Sequence, residues 1–169
     1  MAFNQDIGNW DVGNVSNMSY MFLRCSGFDN GGSDSISGWD TSSVTTMQGM
    51  FQESRSFNQP IQYWDVSNVT NMNSMFSTRY YTSLGLSAFD QDLSNWVVTG
   101  VTSANEFMRY ANGLSTTNYD RTLSGWSSQS VQNGVNIHFG GSQYSTATGL
   151  AYRNALVSAG WTITDGGAV

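Results

Sequence analysis

Residues 57–76 read FNQPIQYWDVSNVTNMNSMF, and the same pattern recurs along the whole chain. Residues 3–22, FNQDIGNWDVGNVSNMSYMF, repeat it closely. Five of the six tryptophans occupy its central position, at intervals of 29, 25, 32 and 30 residues, namely Trp10, Trp39, Trp64, Trp96 and Trp126. Self-similarity at such a period indicates a repeat array. We therefore divide the chain into five units, residues 3–27, 28–56, 57–88, 89–118 and 119–145, followed by a C-terminal cap and exit over residues 146–169.

Each unit changes its hydrophobic period halfway along. Residues 61–66 place an aliphatic residue, Trp64 and Val66 among polar neighbours, which is typical of a short strand with the tryptophan facing inward. Residues 69–76 instead carry Val, Met, Met and Phe at i, i+3, i+6 and i+7, which is typical of a helical stripe. The pattern predicts an α/β repeat solenoid, leucine-rich-repeat-like, of about five coils with a parallel sheet on one face and short helices on the other.

The two ends of the array differ. Residues 146–159 are predicted to form a helix with Leu150, Asn154 and Val157 on one stripe, and residues 161–164 a last strand. Together they form a C-terminal helix-strand cap. No comparable cap precedes residue 3, so the edge of the first coil around Ile7 is expected to be exposed with Trp10 and Val12. Two explanations are open: further residues that precede this sequence, or a neighbouring molecule, in which case self-association through the uncapped N-terminal coil is expected.

Composition excludes several function classes. The net charge is −6 and no Lys/Arg cluster occurs, which argues against nucleic acid or an anionic membrane as a partner. No apolar run is long enough for membrane insertion. Only 11% of the residues are charged while Ser, Thr, Asn and Gly abound, which favours an extracellular location. The single cysteine, Cys25, excludes a disulfide framework within the chain.

The sequence offers little for catalysis. His138 is the only histidine, and its position in the last, irregular unit favours packing over a role as base or ligand. No glycine-rich phosphate loop, nucleophile elbow or Cys/His metal spacing is present. We therefore expect no enzymatic activity and no cofactor.

The quoted stretches, residues 3–22 and 57–76, strongly resemble the repeats of BspA-like bacterial surface proteins, in which the unit reads roughly F-N-x-D-I-x-x-W-D-V-S-x-V-x-x-M-x-x-M-F. The resemblance is close over residues 3–110 and loose beyond. It implies a leucine-rich-repeat-like solenoid on secreted or surface-anchored proteins linked to adhesion, and it implies no catalytic residues. Val97 and Ser127 depart from the pattern, because they replace the Asp that follows tryptophan in the first three units.

That Asp forms a ladder of three carboxylates, Asp11, Asp40 and Asp65. If the tryptophans point inward, these side chains point outward on consecutive units and repel one another. Three offsets are open: hydrogen bonds from the following turn, contact with a ligand, or a bound calcium ion, which prefers such oxygen ligands. Calcium is therefore the one metal that the ladder leaves open.

Two candidate binding regions follow. Tyr63 and Asn95 lie beside the Asp ladder on the predicted sheet face, where an exposed ring suits stacking on a sugar or contact with a protein. The loop that begins with Arg79, Tyr80 and Tyr81 is the second region, since loops on rigid scaffolds often carry recognition. Packing of this tyrosine-rich loop onto its own solenoid is the alternative.

The resulting hypothesis is a non-enzymatic extracellular recognition or adhesion module that binds a protein or glycan at a cell surface, or on a phage virion. The first alternative is a structural spacer or a self-assembling unit of a surface or virion filament or decoration. The second alternative is a calcium-stabilised adhesin segment.

Overall fold

The computed structural model describes residues 3–79 and 87–169. Regular secondary structure is concentrated near the C-terminus: helix α1 spans Thr116–Ser127, strand β1 Asn136–His138, helix α2 Gly149–Ser158 and strand β2 Thr162–Thr164. The strands are parallel, with Ile137 opposite Ile163. Two short 3-10 turns, Asn30–Gly32 and Asp34–Gly38, precede them in the chain.

The predicted leucine-rich-repeat-like α/β solenoid, about five coils with a parallel sheet on one face and short helices on the other, is wrong. The described ranges contain one sheet of two strands, and both of their α-helices follow residue 115. Residues 61–66, predicted as a strand, consist of turns and irregular chain. Residues 69–76, predicted as a helix, consist of turns and irregular chain with one bridge residue, Asn71, which pairs with Thr46 and with Ser103.

Backbone hydrogen bonds between neighbouring units explain why no helix forms. Met18, Tyr20 and Phe22 donate their N–H groups to carbonyls of the next unit at 2.9–3.0 Å, while Met21 donates to the carbonyl three residues back. A helix would instead bond each N–H to the carbonyl four residues back. Tyr20 also has a φ of 61°, in the left-handed region, which interrupts any helical run.

The tryptophans are the buried contacts between units. Four of the five, namely Trp39, Trp64, Trp96 and Trp126, are buried, and each indole Nε1 donates to the carbonyl of the aliphatic residue in the preceding unit at 2.9–3.2 Å. Trp10 differs, since half of its surface (50%) is exposed. Ile7 and Val12 are buried, so the predicted exposure of that edge holds for Trp10 alone.

Stacked phenylalanines extend the same core along the array. The rings of Phe22 and Phe51 lie 5.4 Å apart, and those of Phe51 and Phe76 lie 5.6 Å apart, with interplanar angles of 10° and 6°. Such offset stacking adds to the stabilisation from buried apolar surface. One continuous hydrophobic cluster therefore runs from the first unit to Trp161.

The C-terminal segment packs on helix α1. Tyr119, Leu123 and Trp126 fall at i, i+4 and i+7 of α1 and are all buried. Helix α2 and strand β2 lie within the segment predicted as a cap, but the predicted stripe of α2 faces the wrong way, since Leu150 and Val157 are exposed while Leu156 is buried. Across residues 3–79 and 87–169, no helix is both long and apolar enough to cross a membrane.

Candidate functional site

A shallow groove of about 410 Å³ opens beside the third tryptophan. It is lined by residues 62–67 of one unit and by Asn95 and Val97 of the next, and we call it the Tyr63 groove. Three of the side chains predicted from the sequence, those of Tyr63, Asp65 and Asn95, therefore lie together in the folded chain. Because neighbouring units hold their outward residues side by side, the groove combines residues that are about 30 positions apart.

The groove joins an apolar surface to polar groups. The Tyr63 side chain is 74% exposed and Val97 is 45% exposed, so both present apolar surface to solvent. Val97 occupies the repeat position that is Asp11, Asp40 and Asp65 in the first three units. In the sequence, the step from Asp65 to Val97 is therefore the only one between consecutive units at which an Asp of the ladder is followed by an aliphatic residue. An exposed ring beside an aliphatic side chain suits the C–H face of a sugar or an apolar side chain of a protein.

Gln62 is a lining residue that the sequence prediction missed. Its Oε1 is buried and accepts no hydrogen bond from the described residues. A buried amide oxygen without a donor costs free energy, so a donor supplied by a ligand would be favourable. The signal for this residue was available, because Gln62 is the only long side chain at a position that is otherwise Gly8 or serine.

The carboxylates of the Asp ladder are engaged by their own turns. Asp40 accepts from the N–H and hydroxyl of Ser42 at 3.1 and 2.6 Å, and Asp65 accepts from the N–H of Ser67 at 2.9 Å. The Ser42 hydroxyl, and then its N–H, lower the pKa of Asp40. Ser67 likewise lowers the pKa of Asp65, and this outweighs the opposing effects of burial and of the Asp40 charge.

Asp11 follows the same turn pattern. Its Oδ1 accepts from the N–H of Gly13 at 3.2 Å. Of the three offsets considered for the ladder, hydrogen bonding within the turn is therefore the one with partners in place. In the parts of the chain that the structure describes, no group of three or more His, Cys, Asp or Glu side chains is placed to hold a metal ion.

The second predicted region lies apart from the groove. Arg79 lies 3.5 Å from the carboxylate of Glu53, which is buried and also paired with Arg55 at 3.0 Å. Tyr80 and Tyr81 lie outside the described residues. Arg79 is thus placed in an ion cluster with Glu53, and it does not line the Tyr63 groove.

A comparison with known protein families finds a match over most of the chain. The family described as "Mycoplasma protein of unknown function, DUF285" matches residues 1–35 and 31–148. Comparisons with curated proteins and with solved structures gave no match.

Proposed function

We propose that this chain, which belongs to the DUF285 family, is a non-enzymatic recognition module that acts outside the cell and binds a hydroxyl-rich glycan in the Tyr63 groove. The observation that carries the proposal is the placement of Tyr63, Asp65 and Asn95 around one groove. The resemblance of residues 3–22 and 57–76 to BspA-like surface repeats favours the same kind of role, in adhesion at a cell surface.

The chemistry of the groove favours a neutral sugar. Tyr63 and Val97 offer an apolar face for stacking, and the Asp65 carboxylate has acceptor capacity beyond its bond to Ser67. The Asn95 amide adds both donors and an acceptor. Among the described residues that line the groove there is no cationic side chain, so an acidic sugar would meet the Asp65 charge without compensation.

Binding to an immobilised panel of neutral and acidic oligosaccharides tests the proposal. We expect the wild-type protein to bind neutral members, and the Tyr63→Ala/Asp65→Ala variant to lose about tenfold or more in affinity, since an aromatic anchor and a charged hydrogen-bond acceptor are removed together. Tyr152→Ala is the matched control, because Tyr152 is an exposed tyrosine on helix α2, remote in sequence from the groove.

The outcomes separate the candidates. Retained glycan binding in the double variant would remove the Tyr63 groove as the site. If the protein binds no neutral glycan but binds to cell surfaces in a manner that the double variant abolishes, the partner is a protein at the same groove.

A second candidate function, assembly with other subunits, is favoured by the exposed end of the first unit. Trp10 is half-exposed, whereas its counterparts are buried and donate to a preceding unit. In the described ranges, no N–H donates to the carbonyls of Asn17, Ser19 or Met21, whose equivalents in the second unit accept from the first. This end therefore presents apolar surface and a row of acceptors.

Size measurement over a range of protein concentrations tests assembly. Trp10→Asp is the informative substitution, because Ile7 is buried and a charge there would disturb the fold. Polymers that disappear in Trp10→Asp would favour a filament or decoration unit, and a monomer at every concentration would eliminate this candidate.

A further inference from the structure

A second groove, of about 490 Å³, lies nearer the C-terminal end of the array and shares no residue with the Tyr63 groove. Glu106 and Arg109 line one side, and the strands β1 and β2 line the other. We call it the His138 groove. The outward side chains of the strands are paired by the register, Asn136 beside Thr162 and His138 beside Thr164.

Hydrogen-bond donors without partners converge on this groove. Within the described residues, the side chains of Asn136, Thr162 and Thr164 make no hydrogen bond. His138 accepts from the N–H of Gly140 through Nδ1 at 3.0 Å, which places the imidazole proton on Nε2 and leaves that N–H free to donate. Two hydroxyls, an amide and an imidazole N–H therefore border one space.

Arg109 supplies a cation at the edge of the groove. Its guanidinium donates through Nη1 to the Glu106 carboxylate and lies 4.6 Å above the ring of Tyr110. The ring contact and the ion pair orient the guanidinium, whose side chain is 40% exposed, and its other N–H groups are still able to bind an acceptor. An arginine held in this way binds a carboxylate well, because its planar fork matches carboxylate geometry.

From these contacts we infer that the His138 groove binds a sugar acid, whose carboxylate contacts Arg109 and the His138 Nε2–H and whose hydroxyls contact Thr162, Thr164 and Asn136. The Glu106 carboxylate, already paired with Arg109, is left with acceptor capacity for a sugar hydroxyl. The inference goes beyond the proposed function, since it concerns a different site and an anionic ligand in place of a neutral one.

Methyl β-glucuronide and methyl β-glucoside are a matched pair of probes, because they differ in the carboxylate alone. His138 is the only histidine, so one imidazole NMR signal reports on the groove without assignment ambiguity. We expect millimolar glucuronide to shift the signals of His138, Thr162 and Thr164 and to raise the pKa of His138, because a nearby anion stabilises the imidazolium. The glucoside should leave these signals and the pKa of His138 nearly unchanged.

Three variants complete the test. Arg109→Gln should weaken glucuronide binding about tenfold or more, since it removes a charge-assisted hydrogen bond to the ligand. Thr162→Val/Thr164→Val keeps the shape of the strand surface but removes both hydroxyls. This variant should bind glucuronide more weakly and should bind acetate with unchanged affinity. Tyr63→Ala/Asp65→Ala should bind glucuronide like the wild-type protein, which separates this site from the Tyr63 groove.

Several results would overturn the inference. Equal responses to glucoside and glucuronide would show that the groove does not recognise the carboxylate. An affinity for acetate equal to that for glucuronide would show that the groove does not recognise the sugar ring. Unchanged glucuronide affinity in Arg109→Gln would remove the assigned contact.

Discussion

The indole Nε1 of Trp96 donates a hydrogen bond of 2.9 Å to the backbone carbonyl of Ile61, 35 residues earlier in the chain. Both residues are fully buried. The same bond links three other pairs of neighbouring units, so the tryptophan of each unit from the second to the fifth both fills the core and donates to a carbonyl of the preceding unit. That carbonyl also accepts from the backbone N–H of the tryptophan in its own unit, so the indole adds a second hydrogen bond.

Trp96→Phe should therefore destabilise the protein. The substitution removes the indole donor, and the Ile61 carbonyl keeps the hydrogen bond from the backbone N–H of Trp64 at 3.1 Å. We expect the lost hydrogen bond to cost about 0.5–1.5 kcal/mol, before any cavity is counted. Urea unfolding followed by circular dichroism measures this free energy. Trp10→Phe is the matched control, and we expect a change below about 0.5 kcal/mol, because Trp10 is half-exposed and makes no such bond. Equal losses in the two variants would contradict this role of the indole.

Gly125→Ala should also destabilise, although glycine to alanine normally favours a helix. A Cβ at Gly125 would lie 2.1 Å from the carbonyl oxygen of Ser94 and 2.7 Å from its Cα, so helix α1 would have to move away from the preceding unit. We expect a loss of about 1–3 kcal/mol in place of the usual gain.

The control is Gly38→Ala. Gly38 also directly precedes a repeat tryptophan, but a Cβ there has nothing within 4 Å. We expect Gly38→Ala to change the unfolding free energy by less than about 0.5 kcal/mol. A thermal melt that ranks the two variants in the opposite order would show that α1 does not pack closely on Ser94.

The positions of the buried residues could be predicted from the sequence, but the local conformations could not. The constant offset between each tryptophan and the aliphatic residue three positions earlier correctly predicts the burial of four side chains, those of Trp39, Trp64, Trp96 and Trp126. The spacing of Val, Met, Met and Phe led to a helix that does not exist. Spacing alone cannot reveal that Tyr20 and Arg24 adopt a positive φ, a conformation rare for such residues.

Helix α1 shows the converse error. Tyr119, Leu123 and Trp126 have the same spacing as Phe57, Ile61 and Trp64, which lie in irregular chain. The two segments differ in the residues around these positions. Proline at position 60 disfavours a helix, whereas Ser115 accepts a hydrogen bond from the N–H of Asn118 at the start of α1.

The Tyr63 groove was partly predictable. Alternation along the chain places Tyr63 and Asp65 on the outward side, and repeat alignment brings Asn95 beside them. The His138 groove was not predicted, although Thr162 and Thr164 alternate with the buried Ile163. That alternation places the side chains on one face, but only the pairing of β1 with β2 brings His138 to them.

Stability should fall as the pH drops below that of neutral solution, through His138. Burial of the imidazole and then the nearby Arg109 charge lower its pKa, and the weaker opposing effects of Glu106 and Asp165 do not reverse this. The unfolded chain, with a histidine pKa of about 6.5, then binds more protons than the folded chain. The contribution is fully present above the unfolded pKa and is lost as the pH falls towards the lowered folded pKa.

Unfolding free energies at pH 7.5 and 5 in wild-type protein and His138→Asn measure this contribution. Asparagine does not titrate and offers an acceptor oxygen to the N–H of Gly140, so the variant should lose less stability between the two pH values. An identical pH dependence in both proteins would assign the effect to other groups.

The ion pair between Arg153 and Asp165 should stabilise the C-terminal segment. Arg153 Nε lies 2.7 Å from the Asp165 carboxylate, whose side chain is 4% exposed, and Tyr119 donates to the same oxygen at 2.9 Å. Arg153→Met leaves a buried carboxylate without its cation. We expect a loss of about 3 kcal/mol, the lower end of the range for a buried pair, because the Arg153 side chain is itself 21% exposed.

Arg153→Met/Asp165→Asn removes both charges and should recover part of that loss, since the Tyr119 hydroxyl can still donate to the asparagine oxygen. Arg121→Met is the control, because Arg121 and Asp92 form an exposed pair at 3.8 Å that should contribute less than about 0.5 kcal/mol. Urea unfolding of the wild-type protein, the two single variants Arg153→Met and Asp165→Asn, and the double variant gives the coupling free energy between the two side chains. The N–H of Gly167 also donates to Asp165, at 3.1 Å. A double variant less stable than Arg153→Met would show that Asp165 stabilises the segment through Tyr119 and Gly167 and not through its pairing with Arg153.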